Sequence, residues 1–143
     1  MIKQKVMFVC TENSCRSQMA EGFLRHLAGE HFDVFSGGAY PTEINPSAVE
    51  VMKEIGIDIS GQHSKDVAQF LGQRFHYIFR VCDKVREKCP VLPGAIWYLD
   101  WSFEDPAAAV GNVAEKLAVF RRVRDQIEEK VEEFVAKEAP LRE

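Results

Sequence analysis

The residues with the most chemical reach in this chain are four cysteines and one arginine. Cys10 and Arg16 enclose five residues in the run Cys10-Thr11-Glu12-Asn13-Ser14-Cys15-Arg16-Ser17, and Cys82 and Cys89 form a second pair seven positions apart. Intervals of four and six residues within the pairs fit a structural zinc site badly. His26, His31, His63 and His76 show no metal-ligand spacing, so no metal is expected. In a small secreted domain four cysteines suggest two structural disulfides, but the start Met1-Ile2-Lys3-Gln4-Lys5 lacks a long apolar signal core. Nucleophilic or redox cysteine chemistry in the cytoplasm is the expectation.

The spacing from Cys10 to Arg16 lets the backbone curl so that several N–H groups face one centre. A helix beginning there adds partial positive charge, and together these make a cradle for a tetrahedral oxyanion. The same field favours the Cys10 thiolate. Arg16 can hold two oxyanion oxygens with its planar fork, a geometry that lysine cannot reproduce. Ser14 and Ser17 can donate to the sulfur or steady the loop, and Asn13 tolerates a left-handed backbone. The plainer alternative is a buried strand-end cysteine and a surface arginine. A position between a strand and a helix, with Asn13 and Ser17 nearby, favours a site.

The flanking pattern supplies those elements. Val6-Met7-Phe8-Val9 reads as a buried strand, and Met19, Phe23, Leu24 and Leu27 give Gln18 to Ala28 a helical face that Gly29 ends. Phe32 to Phe35 suggests a second strand closed by Gly37-Gly38. Pro46 opens a helix with Val49, Met52 and Ile55 as its stripe, and a short helix is expected over Lys65 to Leu71. Tyr77 to Val81 and Ala95 to Leu99 read as further strands. Leu117, Phe120, Val123, Ile127, Val131 and Phe134 make one face of a long helix from Val113 to Lys137. Strands alternating with helices imply an α/β fold, a doubly wound four-stranded parallel sheet flanked by helices, in a single domain over residues 1–143. The loop then lies beyond the carboxyl end of the first strand, where open α/β sheets hold ligands.

Composition limits the alternatives. With 143 residues, 46% hydrophobic and 28% charged, the chain matches an ordinary globular protein, for which a monomer is plausible. A formal charge of −4 with no basic stripe argues against a nucleic-acid partner, and no apolar run is long enough to span a membrane.

The loop and its continuation Gln18-Met19-Ala20-Glu21-Gly22 resemble those of the thioredoxin-coupled arsenate reductases, relatives of the low-molecular-weight protein tyrosine phosphatases. The likeness extends through Asn45-Pro46, Asp58-Ile59-Ser60, Val81-Cys82-Asp83, Cys89-Pro90, Asp105-Pro106 and Phe120-Arg121-Arg122-Val123-Arg124-Asp125, nearly the whole chain. It implies a low-molecular-weight phosphatase-like fold and a substrate loop of Thr11, Glu12, Asn13, Ser14, Cys15, Arg16 and Ser17. Cys10 would attack arsenate and Cys82 would attack Cys10 to release arsenite. Cys89 would then take the disulfide outward to thioredoxin, with glutaredoxin the other reductant used among relatives. No bound cofactor is implied. Asp105 matches the general acid, a role that competes with simple turn-capping before Pro106 and, more weakly, with Glu104. Cys15 reads as loop packing, with off-pathway pairing to Cys10 open. Tyr98 and Trp101 are candidates for the pocket's rim, with apolar core packing the favoured role for either. A tyrosine phosphatase is the alternative enzyme, but it needs no second cysteine pair.

The second pair also sets a geometric demand. Seven positions on a continuous helix rise about 10 Å, whereas disulfide Cα atoms lie within about 7 Å. The segment holding Lys84-Val85-Arg86-Glu87-Lys88 must therefore unwind for the bond to form, or else is a plain solvated helix. Two departures from relatives stand out. Glu12 occupies a position that is glycine in several of them, and inward-pointing it would oppose an anion. Lys65 replaces an aspartate that joins Asn13, Glu21 and Ser36 around potassium in some, and its ammonium is expected to stand in for that ion.

Overall fold

A computed structural model describes residues 2–83 and 85–138. Four strands, β1 (Gln4–Cys10), β2 (Phe32–Gly38), β3 (Phe75–Arg80) and β4 (Ala95–Asp100), pair in parallel in the order β2-β1-β3-β4. Three helices follow strands or loops: α1 (Arg16–Ala28), α2 (Pro46–Lys53) and α3 (Val113–Glu138). The doubly wound sheet expected from the alternating pattern is present. Among the described residues no helix is long and apolar enough to cross a membrane.

β1 is central, and its last five residues are buried, as a parallel strand covered on both faces requires. Alternation sends Val6, Phe8 and Cys10 into the larger core and Met7 and Val9 into the smaller one. All three helices pack on the larger side. There Met19, Phe23 and Leu24 of α1 meet Val51 and Met52 of α2 and Val123, Ile127 and Val131 of α3. The opposite face is covered by Phe70 in a 3-10 turn (Val67–Phe70) and by Leu92. The helix expected over Lys65 to Leu71 is only that single turn, started by the Asp66 carboxylate accepting from the Ala68 amide.

Three other boundaries and one packing expectation differ from the sequence reading. α1 begins at Arg16 rather than Gln18, because the loop feeds directly into the helix. β2 runs through Gly37 and Gly38, paired with Val9 and Cys10, where those glycines were read as its end. α2 stops at Lys53, leaving Ile55 38% exposed. Trp101 packs against Phe79 with ring centroids 4.2 Å apart, whereas Tyr98 is 50% exposed on the edge strand and is not core packing.

The strand order positions the chemistry. The chain leaves β1 toward β2 on one side, while β3 flanks β1 on the other, so a crevice opens at their carboxyl ends. Cys10 ends β1 and Cys82 lies just past the end of β3. Val9 is paired with Arg80, and its carbonyl accepts from the Val81 amide at 2.9 Å.

Candidate active site

Residues 10 to 16 form a loop whose carbonyls are turned outward and tied down. Thr11 O accepts from the Tyr40 amide at 2.9 Å, Glu12 O from Thr42 at 3.3 Å and Ser14 O from Asn45 at 3.0 Å. Asn13 O accepts from the Ser64 hydroxyl at 2.7 Å and from Gln18 Nε2 at 3.0 Å. Among the described residues, no acceptor meets the N–H groups of Glu12, Asn13, Ser14 or Cys15. α1 also has no side-chain cap and no acidic residue in its first turn, so its amides are not neutralised locally. A peptide ring with its carbonyls outside and its amides free is an oxyanion cradle.

Asn13 makes the curl possible. It is the one non-glycine residue described with a positive φ, 52°, and its side chain holds it there. Its Oδ1 accepts from Gln18 Nε2 at 3.0 Å and from the Lys65 amide at 2.9 Å. Its Nδ2 donates to Ser17 Oγ at 2.8 Å, and Ser17 Oγ lies 2.8 Å from Cys10 Sγ. With its oxygen already accepting from Asn13, the Ser17 hydroxyl has its proton free for the sulfur. That arrangement aims a hydroxyl donor at the sulfur.

Gly38 lies behind the loop. A Cβ there would sit 2.7 Å from Asn13 N, 2.8 Å from Thr11 O and 2.9 Å from the Glu12 carbonyl carbon, all backbone. Gly38→Ala is expected to cost about 1–3 kcal/mol by overpacking and, by displacing the amides, to weaken oxyanion binding. Thermal melts and phosphate titration check both. The sequence offered only a glycine pair; the close approach that demands it comes from loop and strand meeting in space.

Arg16 is buried, 3% exposed, beside Cys10 and Asp105 in the wall of the cradle. Its Nη1 donates to Phe103 O at 3.1 Å. Both terminal nitrogens grip Glu87, Nη1 to Oε2 at 2.5 Å and Nη2 to Oε1 at 2.6 Å. Nε is buried without a partner. Burial would lower the Arg16 pKa, but Glu87, Cys10 and Asp105 outweigh it and raise it above its usual value. Burial likewise opposes ionisation of Glu87, yet hydrogen bonds from Arg16 and the Asp83 amide hold its carboxyl below the usual range. Residue 87 was read from sequence as part of a solvated or unwinding charge run and not as part of the site. Nothing in its own neighbourhood of charges marks it out. Of that run, Lys84 lies outside the described residues.

Asp105 caps a turn and also faces Arg16. Its Oδ1 caps the short turn Pro106–Ala108 by accepting from the Ala107 amide at 3.0 Å, while Oδ2 lies 3.9 Å from Arg16 Nη2. Glu104 instead pairs with Arg122 at 2.5 Å on the surface. Glu12 is exposed at the rim of the cradle, where its carboxylate accepts from the Thr42 hydroxyl at 3.4 Å. Burial pushes the Cys15 thiol up to about 12, partly offset by Ser14, which suits a packing residue.

Cys82 and Cys89 are bonded to each other, Cα atoms 5.8 Å apart, with no helix among the described residues between them. The bonded segment is non-helical over its described residues, as the spacing requires of the disulfide form. Their sulfurs lie 4.0 and 3.9 Å from Val9 O, one residue from Cys10, and Cys82 Sγ is 3.8 Å from the Thr11 hydroxyl. Cys82 is 1% exposed and Cys89 half-buried. A surface cleft of about 230 Å³, lined by Arg80, Cys82, Glu87, Cys89 and Asp100, opens onto the bond.

Comparison with known proteins agrees with this geometry. Residues 5–142 match the family model of the low molecular weight phosphotyrosine protein phosphatases. An arsenate reductase of Halalkalibacterium halodurans is 46% identical over 134 residues, covering 94% of this chain and 96% of the relative. A solved arsenate reductase in the phosphate binding state superposes with a TM-score of 0.79 at 39% identity, covering 94% of this chain and 98% of that one. A thioredoxin-dependent arsenate reductase of Corynebacterium glutamicum gives 0.61 at 27% identity, over 91% of this chain and 62% of its own. The chain belongs to the low molecular weight phosphotyrosine protein phosphatase family, on the branch of the arsenate reductases.

Proposed function

We propose that this protein reduces arsenate to arsenite by a three-cysteine relay regenerated by thioredoxin. The observation that carries the proposal is the bonded Cys82–Cys89 pair lying against Val9, beside the loop of Cys10. The Cys10 thiolate displaces an oxygen from arsenic as Asp105 supplies the proton that lets it leave as water. Arg16 and the loop amides hold the remaining oxygens. The Cys82 thiolate then attacks Cys10 Sγ. The electron pair of the sulfur–arsenic bond stays with arsenic, As(V) becomes As(III), and arsenite leaves. Attack of Cys89 on Cys82 frees the Cys10 thiolate and forms the Cys82–Cys89 disulfide. An incoming dithiol reaches the half-buried Cys89 more readily than the buried Cys82, and thioredoxin, itself a dithiol, suits that attack. Such a cycle needs a reducing compartment, which places the protein in the cytoplasm. A simple phosphatase has no use for the second pair.

The test is arsenate-dependent arsenite release with thioredoxin, thioredoxin reductase and NADPH, run beside hydrolysis of p-nitrophenyl phosphate. Stoichiometric arsenite and NADPH oxidation are expected; ester hydrolysis without arsenite would make the chain a phosphatase.

Lys65 supports a metal-free version of the loop. Its Nζ lies 3.7 Å from Glu21 Oε1 and donates to His63 O at 2.8 Å, while Glu21 also takes Arg25 at 2.8 Å and the Ser36 hydroxyl. Burial lowers the Lys65 pKa, with Glu21 opposing. With that ammonium in place, exchanging sodium for potassium at constant ionic strength is expected to leave turnover unchanged. A several-fold rise with potassium would contradict this role.

A further inference from the structure

Glu87 is held between the two halves of the site. It lies within the ring closed by the Cys82–Cys89 disulfide, and its carboxylate takes both terminal nitrogens of Arg16, the Asp83 amide at 2.8 Å and the Thr11 hydroxyl at 3.4 Å. We propose that Glu87 is a positioning residue that acts through Arg16 to couple the redox state of the 82–89 pair to oxyanion affinity, so that the disulfide enzyme holds its anion site in a low-affinity form. The proposal rests on reading the Cys10–Arg16 loop as an oxyanion site.

Three observations support it. First, a carboxylate on the outer fork of Arg16 cancels the one buried positive charge in the cradle and repels a second anion. Second, the depression between Cys10, Arg16 and Asp105 is narrow, with about 10 Å³ open to water, so an oxyanion would have to move side chains to seat against the loop. Third, Arg16 Nε is buried with no acceptor, which leaves a donor of the guanidinium unused while Glu87 holds the others. In the proposal the contact depends on the bond. The bond holds the Cα atoms of Cys82 and Cys89 5.8 Å apart; were the reduced segment to become a helix, the same seven positions would span about 10 Å and carry residue 87 along a different path.

The consequence runs both ways. If closing the disulfide weakens oxyanion binding, oxyanion binding must favour the dithiol by the same factor. The half-reaction, disulfide plus two electrons and two protons to two thiols, then moves to higher potential as the site fills. A tenfold affinity ratio corresponds to about 30 mV for this two-electron couple. A spent enzyme would thus decline arsenate or phosphate until a dithiol has reset it.

Inorganic phosphate, which cannot be reduced here, is the probe. Its dissociation constant is measured by calorimetry on the full chain as dithiol and as Cys82–Cys89 disulfide, with mass spectrometry confirming Cys10 free. The potential of the pair is read in dithiothreitol redox buffers with and without saturating phosphate. Binding at least about tenfold tighter to the dithiol, and a rise of about 30 mV or more with phosphate, are expected. Glu87→Gln keeps the size and removes the charge; it should tighten binding to the disulfide form and abolish the potential shift, while Glu87→Asp restores part of both. Equal affinity in the two wild-type forms overturns the coupling, whatever the variants do. An unchanged wild-type gap in Glu87→Gln overturns the role of Glu87. Absence of phosphate binding to the dithiol form overturns the oxyanion reading itself.

Discussion

Cys10→Ser is expected to lower arsenite release by at least about four orders of magnitude while leaving phosphate binding nearly intact. The cradle is made by main-chain amides and Arg16, none of which depends on the sulfur, so the anion still docks. What disappears is the nucleophile. A thiol is intrinsically far more acidic and nucleophilic than an alcohol, and the Ser17 hydroxyl 2.8 Å away cannot make a serine its equal. Serine also cannot join a disulfide, so even a slow adduct has no route to arsenite. Loss of phosphate affinity along with turnover would mean that the substitution broke the loop, and comparing titrations of the two proteins separates these outcomes.

Arg16→Lys is expected to lower kcat/KM for arsenate by about 10²–10³-fold. The charge is kept, but a lysine ammonium cannot present a planar edge to two oxyanion oxygens, and its stem cannot reach both the Phe103 carbonyl and the anion. The disulfide form should lose stability as well, because Glu87 and Phe103 O are left incompletely paired around a buried position. Steady-state kinetics with a thermal melt of each redox form would show both effects. A variant with full activity would mean that oxyanion recognition lies elsewhere.

Much of this was written into the sequence as local pattern. The β1–loop–α1 unit is legible because its apolar run, the five-residue interval and the helical face of Met19, Phe23 and Leu24 are contiguous. The unwound 82–89 segment follows from covalent geometry alone: a helix cannot bring those cysteines together. The features that escaped are those assembled only by tertiary contact. Glu87 sits in an ordinary run of charges until the ring of the disulfide delivers it to Arg16, 71 positions away. Gly38 reads as a strand breaker until Asn13 and Thr11 press against it. Tyr98, on the edge strand β4, shares its apolar pattern with buried strands, and only the sheet order shows that one side of it has no neighbour.

The most direct measurement is a single turnover without added reductant. Fully reduced protein is mixed with excess arsenate, quenched with acid, and analysed for arsenite and for disulfides by peptide mass spectrometry. One arsenite per chain with a Cys82–Cys89 disulfide is the expected result, and Cys89→Ser should stop at Cys10–Cys82 after releasing the same amount. Arsenite formed without any oxidation at Cys82, or formed equally by Cys10→Ser, would contradict the account.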